Sequence, residues 1–195
     1  ISGIELPGAD QLRDTVNLLR KNPDSRRIIV DLWNPNDLDT VALPWCHFFY
    51  QACSYIDHDK KRKIDLHVIQ RSADSFLGVP YDFLLFAIYH KILTLLTGYG
   101  DGWIHTTFND FHMYNNHEEQ VNKYIDNYIN DPMDIFGYER EKPQIYVHED
   151  YTHLDFVNMD IDELLQIIID SKFTFFGIKN YKGNHYPKIE AKVAV

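Results

Sequence analysis

The stretch DFLLFAIYHKILTLLTG, residues 82–98, constrains the fold more than any other part of the chain. It is apolar on nearly every side, and Gly98 stands where a helix can end on a left-handed residue. An all-round apolar helix has to be covered, so the sequence predicts a buried helix packed against a β-sheet. Strand patterns precede it in KIDLHVIQRSA and follow it in GWIHTTF.

The other elements follow no regular alternation of strand and helix. DQLRDTVNLLR has helical spacing and stops at Asn22-Pro23, and a surface helix is predicted from about Asn115. Strands are predicted in five further segments: RRIIVDLW, PWCHFFYQACSYI, PQIYV, DFVNM and FTFFGI. The charged connection DHDKKRK predicts a hairpin loop, and IDELLQIII predicts a helix. This mixture predicts an α+β fold, a mixed β-sheet with packed helices, in a single domain over residues 1–195.

Composition excludes several classes of protein. The chain has a net charge of −10, which argues against a DNA-binding protein because such proteins normally carry a basic face. No apolar run reaches the roughly 18 residues that a membrane span needs, and no signal-peptide pattern occurs. The only two cysteines, Cys46 and Cys53, are expected to be reduced thiols in the cytoplasm.

Two arginine-containing corners are candidates for phosphate recognition. Arg26-Arg27 lies between a predicted helix and strand, and Arg71-Ser72 follows the strand LHVIQ. A guanidinium fork matches phosphate oxygens, and a serine hydroxyl adds a further donor. From these residues alone, surface ion pairing is the simpler explanation.

Cys46 has two interpretations. A cysteine in an apolar run is usually a small structural side chain, whereas a nucleophilic thiol needs positive charge beside it. If Arg71 approaches Cys46 across neighbouring strands, one cluster provides both phosphate binding and thiolate stabilisation. His47 is not expected to be the base for Cys46, because adjacent residues on a strand point to opposite faces.

The histidines do not have the spacing of a metal site, so no metal is expected. The segment FHMYNNH instead places His112 and Tyr114 on one face of an extended stretch, where they suit hydrogen bonding to a polar ligand.

Six segments occur together in a characteristic order: DSRRIIV, WNPNDL, ALPWCHFFYQ, QRSADSFLGVPYD, GDGWIHTTFNDFHMYNNH and IEAKVAV. In order and interval they closely resemble the thymidylate synthase family, which includes the deoxycytidylate hydroxymethylases of phages. The resemblance runs from about Asp10 to the C-terminus. It implies a homodimer whose sheets stack back to back.

The resemblance implies a covalent mechanism on a pyrimidine deoxynucleotide. Cys46 would add to C6 and so activate C5 to attack 5,10-methylenetetrahydrofolate. Arg71 and Ser72 would bind the 5′-phosphate, joined by Arg26 and Arg27 of the other subunit. His112 and Tyr114 match the residues that bind the 3′-hydroxyl group.

The folate pocket is implied by a second set of positions. Asp74, also a catalytic position, matches residues lining the folate and base pocket, as do Leu77 and Gly78. The C-terminal residues Ala194 and Val195 match the tail that closes over the folate.

The family pattern also contains an N-terminal segment with a glutamate for proton transfer and a tryptophan that covers the folate. The sequence starts just before the helix DQLRDTVNLLR, so we expect it to be truncated relative to that pattern. A non-catalytic module that binds nucleotide or its own mRNA is therefore an alternative to an enzyme.

Asp82 is the second departure from the thymidylate synthase pattern, which has Asn at this position. An Asn amide suits uracil, whereas a carboxyl group that shares a proton can accept from the cytosine amine and donate to N3. The deoxycytidylate hydroxymethylases carry Asp here. The sequence thus favours hydroxymethylation of dCMP, with conversion of dUMP to dTMP as the alternative, although Asp82 would also suit a helix N-cap.

Overall fold

The computed structural model describes residues 9–130, 142–172 and 174–181. The α-helices in these ranges are α1 Gln11–Lys21, α2 Gly78–Thr97, α3 Glu118–Ile129 and α4 Ile161–Asp170. The strands are β1 Ile29–Asp31, β2 His47–Ile56, β3 Arg62–Gln70, β4 Ala73–Asp74, β5 Gly100–Phe108, β6 Phe111–His112, β7 Gln144–Val147 and β8 Phe176–Lys179. Short 3-10 helices cover Pro35–Asp37, Asn115–His117 and Glu149–Tyr151.

Within the described ranges, the main sheet has four strands in the order β1-β2-β3-β5. β2 runs antiparallel to β1 and β3, whereas β3 and β5 are parallel and α2 forms the crossover between them. The charged segment DHDKKRK lies at the β2–β3 hairpin, as predicted, and Lys60 takes a φ of 62° there. Two small sheets pair β4 with β6 and β7 with β8. The predicted α+β fold with a mixed sheet is confirmed.

The crossover helix α2 is exposed near its start and buried mainly from Phe86 onward. Phe86, Leu93 and Leu96 are fully buried against the sheet, but Tyr81 and Leu85 near the start are exposed. Gly98 ends the helix with a φ of 72°, as predicted. By length and composition alone α2 could also cross a membrane. Its buried side chains instead belong to the protein core.

The main sheet has one covered and one uncovered face. Along β3 the inward side chains Ile64, Leu66 and Val68 are fully buried beneath the helices. The outward residues of β2, β3 and β5 are only partly covered, and Trp103 is 69% exposed among them. This outer face is the surface that a second copy would cover in the expected back-to-back dimer.

The segment DFVNM is not a strand, contrary to the prediction. Residues 156–158 form a turn, and the guanidinium of Arg20 donates to the carbonyl oxygens of Val157 and Met159 at 2.9 and 3.2 Å. These carbonyls are thus satisfied by an arginine side chain rather than by a neighbouring strand. Met159 is buried in the core.

Candidate active site

Cys46 lies immediately before β2 in a segment held by Arg71. The Arg71 backbone N–H donates to the Cys46 carbonyl at 2.9 Å. The Arg71 guanidinium donates to the carbonyl oxygens of Pro44 at 2.8 Å and Trp45 at 3.1 Å, and its carbon lies 5.9 Å from the centre of the Trp33 ring. Arg71, just after β3, therefore contacts the backbone of the Cys46 segment that leads into the neighbouring strand β2. Because Arg71 has five N–H donors, others remain for an anionic ligand.

A β-bulge near the start of β2 turns His47 inward. His47 pairs with Gln70 and Phe49 with Ile69, so Phe48 is an extra residue on β2. The bulge interrupts the usual alternation, and the imidazole of His47 lies 5.5 Å from the ring of Phe86 inside the protein. His47 Nε2 lies 3.0 Å from Asp82 Oδ1, so its ring is directed at this carboxylate. The expectation that it does not serve Cys46 agrees with this arrangement.

Asp82 lies within α2, not at its start. The N-cap is Leu77 and helix α2 begins at Gly78, so the interpretation of Asp82 as an N-cap is wrong. The Asp82 side chain is 19% exposed and accepts hydrogen bonds from His47 and, at 2.8 Å, from Gln70 Nε2. The carboxylate is thereby held in one orientation on the inner side of the sheet.

The predicted folate positions adjoin this carboxylate. A Cβ built on Gly78 would lie 3.3 Å from Asp74 Cβ and 3.8 Å from Asp82 Oδ2. Asp74 Oδ1 accepts from the Phe76 N–H at 3.1 Å, which fixes the turn into α2. Asp74, Leu77 and Gly78 thus lie at the start of α2, where Gly78 adjoins both Asp74 and Asp82.

The small β4–β6 sheet brings the predicted phosphate and sugar positions together. Asp74 pairs with His112, and Ser72 Oγ lies 3.5 Å from His112 Nδ1. Ser72 Oγ also donates to Asp110 Oδ2 at 3.3 Å. The His112 and Tyr114 rings meet edge to face with centroids 5.0 Å apart. These side chains form one polar group beside Arg71.

Two further predicted positions, Arg26 and Arg27, do not join this group. Arg26 and Arg27 are exposed at the turn before β1, and their side chains form no ion pair with any described residue. Ala194 and Val195, like the rest of the predicted tail, lie outside the described residues. The roles expected for these four residues therefore stay predictions.

Tyr50 on β2 is buried, Tyr89 on α2 is partly buried, and their ring centres lie 5.3 Å apart. Burial raises the pKa of Tyr50, and the nearby Tyr89 and Asp82 raise it further. Burial likewise raises the pKa of Tyr89 to about 12. Both phenols therefore remain neutral near physiological pH.

One group of possible metal ligands occurs among the described residues, namely Asp57, His58 and Asp59. It lies in the hairpin loop between β2 and β3, where Asp57 pairs with Lys63 at 3.2 Å. This group shares no residue with the site around Cys46 and Asp82.

Comparison with known proteins identifies the family. A sequence model described as thymidylate synthase matches residues 5–195. The chain belongs to the thymidylate synthase family. The thymidylate synthase of Mycoplasma mobile is 34% identical over 188 residues, which cover 96% of this chain and 54% of that protein. The thymidylate synthase of Brachyspira hyodysenteriae is 34% identical over 187 residues, covering 95% of this chain and 59% of that protein.

The solved structures give the same result for the fold. The crystal structure of thymidylate synthase from T4 phage superposes with a TM-score of 0.74 at 28% identity, covering 98% of this chain and 60% of that one. The chain thus spans little more than half the length of the thymidylate synthases that it matches. The Mycoplasma and Brachyspira relatives both carry the name thymidylate synthase, so they favour the dUMP alternative over the predicted hydroxymethylation of dCMP.

Sequence reasoning missed two residues of the site, Gln70 and Asp110. Gln70 binds Asp82, and Asp110 binds Ser72. A signal for Gln70 existed, because it directly precedes Arg71 and lies opposite His47 once the β2–β3 hairpin is paired. No pattern pointed to Asp110, whose role depends on the position of the β5–β6 turn.

Proposed function

We propose that this chain carries the nucleotide site of an enzyme that transfers a one-carbon unit to C5 of a pyrimidine deoxynucleoside monophosphate. The thymidylate synthase reaction, from dUMP to dTMP, is the form that the named relatives support. The observation that supports the proposal is the junction of Arg71 with the Cys46 segment, in which the Arg71 backbone N–H donates to the Cys46 carbonyl and the guanidinium donates to the Pro44 carbonyl.

Cys46 is the proposed nucleophile. Its thiolate adds to C6 of the base, and the electron pair of the C5–C6 double bond moves so that C5 becomes a nucleophilic carbon. 5,10-Methylenetetrahydrofolate is the proposed one-carbon donor to C5. The folate would supply the methylene carbon and then a hydride that reduces this carbon to a methyl group, and it would leave as dihydrofolate. Loss of the C5 proton and expulsion of the Cys46 thiolate restore the C5–C6 double bond. Asp74, Leu77, Gly78 and Ala194 are the residues proposed to line the folate pocket.

The polar group beside Arg71 is the proposed binding site for the rest of the nucleotide. Arg71 and Ser72 suit the 5′-phosphate, since both offer donors at one corner of the fold. His112 and Tyr114 suit the 3′-hydroxyl of the sugar. Arg26 and Arg27, exposed and without an ion pair to any described residue, are proposed to complete the phosphate site of a second copy. The same proposal includes that the enzyme is a homodimer and that it is located in the cytoplasm.

A second candidate function, hydroxymethylation of dCMP, is favoured by Asp82. An ionised carboxylate offers acceptors only, so it accepts N–H groups of a cytosine that carries one extra proton. Uracil would bring its O4 oxygen against one of the carboxylate oxygens. An Asp82→Asn variant should therefore bind dUMP more tightly relative to dCMP than the wild type does. Competitive binding of the two nucleotides to both proteins measures this change.

The test of the main proposal is covalent trapping. A 5-fluoro-pyrimidine deoxynucleotide, incubated with the protein and methylenetetrahydrofolate, should leave an adduct on the Cys46 peptide in mass spectrometry. Cys53 is a matched control, because it is a second free and more exposed cysteine in the same chain. An adduct on Cys53 alone, or an equal adduct in a Cys46→Ser variant, would refute the assignment.

A further inference from the structure

Two histidines lie side by side on the outer face of the main sheet. His67 on β3 pairs with His105 on β5, and their ring centres are 6.4 Å apart. Cross-strand partners project from the same face, and Leu66 and Val68, on either side of His67 in the chain, are fully buried on the opposite face. Because β3 lies between β2 and β5, His67 is in the interior of the sheet and not at its edge.

The two imidazoles differ in their contacts. His67 Nε2 lies 3.2 Å from the neutral hydroxyl oxygen of Thr107, whereas His105 Nε2 lies 3.7 Å from Asp65 Oδ2. A carboxylate beside His105 favours a proton on that ring, and a charged His105 would in turn disfavour a proton on His67. In register, the titratable groups next to His67 on this face are His105 on β5, Asp65 on β3 and Cys53 on β2.

A second copy of the chain is the partner that this face suits. Apolar side chains are exposed on it, with Ile29 at 42% and Trp103 at 69%. Ile29 lies on the same rung as His67, because Ile29 pairs with Gln51 and Gln51 pairs with His67. The turn with Arg26-Arg27, proposed above to reach a second copy, lies directly before β1. The face that holds His67 is therefore continuous with the residues that the proposed dimer uses.

We propose that His67 makes the association of two copies sensitive to pH, so that the copies separate as the pH falls. The inference rests on the homodimer in the proposed function. Covering the outer face removes water from His67, and burying a charged group without an opposite charge is costly. Within its own chain a protonated His67 meets only a hydroxyl group and a second imidazole, so the dimer takes up this proton less readily than separate copies do. Association is then strongest where His67 is neutral, and it weakens as the pH falls through the range of about 8 to 5 in which histidine titrates.

The test is the dissociation constant of the dimer, measured by analytical ultracentrifugation of the full chain at about pH 8 and about pH 5.5. For the wild type we expect the constant to rise about tenfold or more at the lower pH, since each copy contributes one His67. His67→Gln is neutral at both pH values and should keep nearly the same constant at both. His67→Lys is charged at both and should associate weakly at both. His58→Gln, at a histidine of the hairpin loop whose side chain is 87% exposed, is the matched control and should retain the pH dependence of the wild type.

The outcomes separate this inference from the proposed function. If the wild-type dimer is equally tight at both pH values, or if His67→Gln retains the full pH dependence, the inference is wrong and the homodimer stands. Association that strengthens as the pH falls would overturn the inference too, because the partner would then supply an opposite charge. A monomer at both pH values would refute the homodimer together with the inference. Thermal unfolding at each pH verifies that the variants are folded, and His67→Asn, which is also neutral, replaces His67→Gln if that variant does not fold.

Discussion

Arg71→Lys separates the two roles of the arginine beside Cys46. In the structure the guanidinium donates to Pro44 and Trp45 carbonyls at 2.8 and 3.1 Å and lies 5.9 Å from the Trp33 ring. A lysine has no planar fork, so it cannot serve these two carbonyls and a phosphate together. Hydrogen bonds from charged groups contribute roughly 1.5–3 kcal/mol each, reduced here because Arg71 is partly exposed. We expect the free energy of unfolding to fall by about 2 kcal/mol.

The affinity effect is distinguished by using ligands with and without a phosphate. If Arg71 binds the 5′-phosphate, Arg71→Lys should weaken binding of dUMP or dCMP by about tenfold or more, equivalent to about 1.4 kcal/mol, and leave binding of the deoxynucleosides nearly unchanged. Calorimetric titration of each ligand measures both, and denaturant unfolding measures the stability change. Equal losses for nucleotide and nucleoside would show that Arg71 acts only by holding the Cys46 segment, and would refute the phosphate assignment.

Three further predictions concern the dimer and the stability of the fold. Mixing Arg27→Ala subunits with Cys46→Ser subunits should restore trapping of the fluorinated nucleotide at one site of the heterodimer, because that site combines an intact Cys46 with an intact Arg27. If trapping does not recover and sedimentation shows a monomer, the sites are not shared between subunits. Gly98→Ala should lower the free energy of unfolding by about 1–2 kcal/mol, because Gly98 has a φ of 72° and the new Cβ would lie 3.0 Å from the Val157 side chain. An unchanged midpoint of denaturant unfolding would refute this prediction. Burial raises the pKa of Asp101, but hydrogen bonds from Lys91 and Thr94 outweigh burial, and the pKa is lowered overall. Asp101→Asn should therefore reduce the melting temperature near pH 7, and the difference should disappear as the pH falls through the lowered pKa of Asp101.

The sequence predicted most of the elements that build the site, because local patterns determine them. The hairpin at DHDKKRK, the crossover helix and its end at Gly98 all follow from charge, apolar content and a left-handed glycine. The resemblance grouped Cys46, Arg71, Ser72 and His112, and the structure brings Arg71 to the Cys46 segment and Ser72 to His112. Their roles as site residues remain predictions.

The errors came from features that depend on pairing rather than on local pattern. Alternation along β2 gave no sign that Phe48 is an extra residue, so the contact of His47 with Asp82 was not predicted. Asp82 resembles a helix start because apolar residues follow it, but the helix begins four residues earlier at Gly78. The segment DFVNM has the composition of a strand, yet the guanidinium of Arg20 occupies its carbonyls.

The two halves of the site are linked through the same hairpin. Cys46 and His47 are consecutive, and they pair with Arg71 and Gln70, which are consecutive on the other strand. One rung therefore fixes the Cys46 backbone relative to Arg71, and the next holds His47 and Gln70 against Asp82. A change at the bulge would displace both rungs, since neither can move without the other. Mutation of Phe48 should consequently disturb the Arg71 and Asp82 contacts together, whereas His47→Phe should remove only one contact of Asp82.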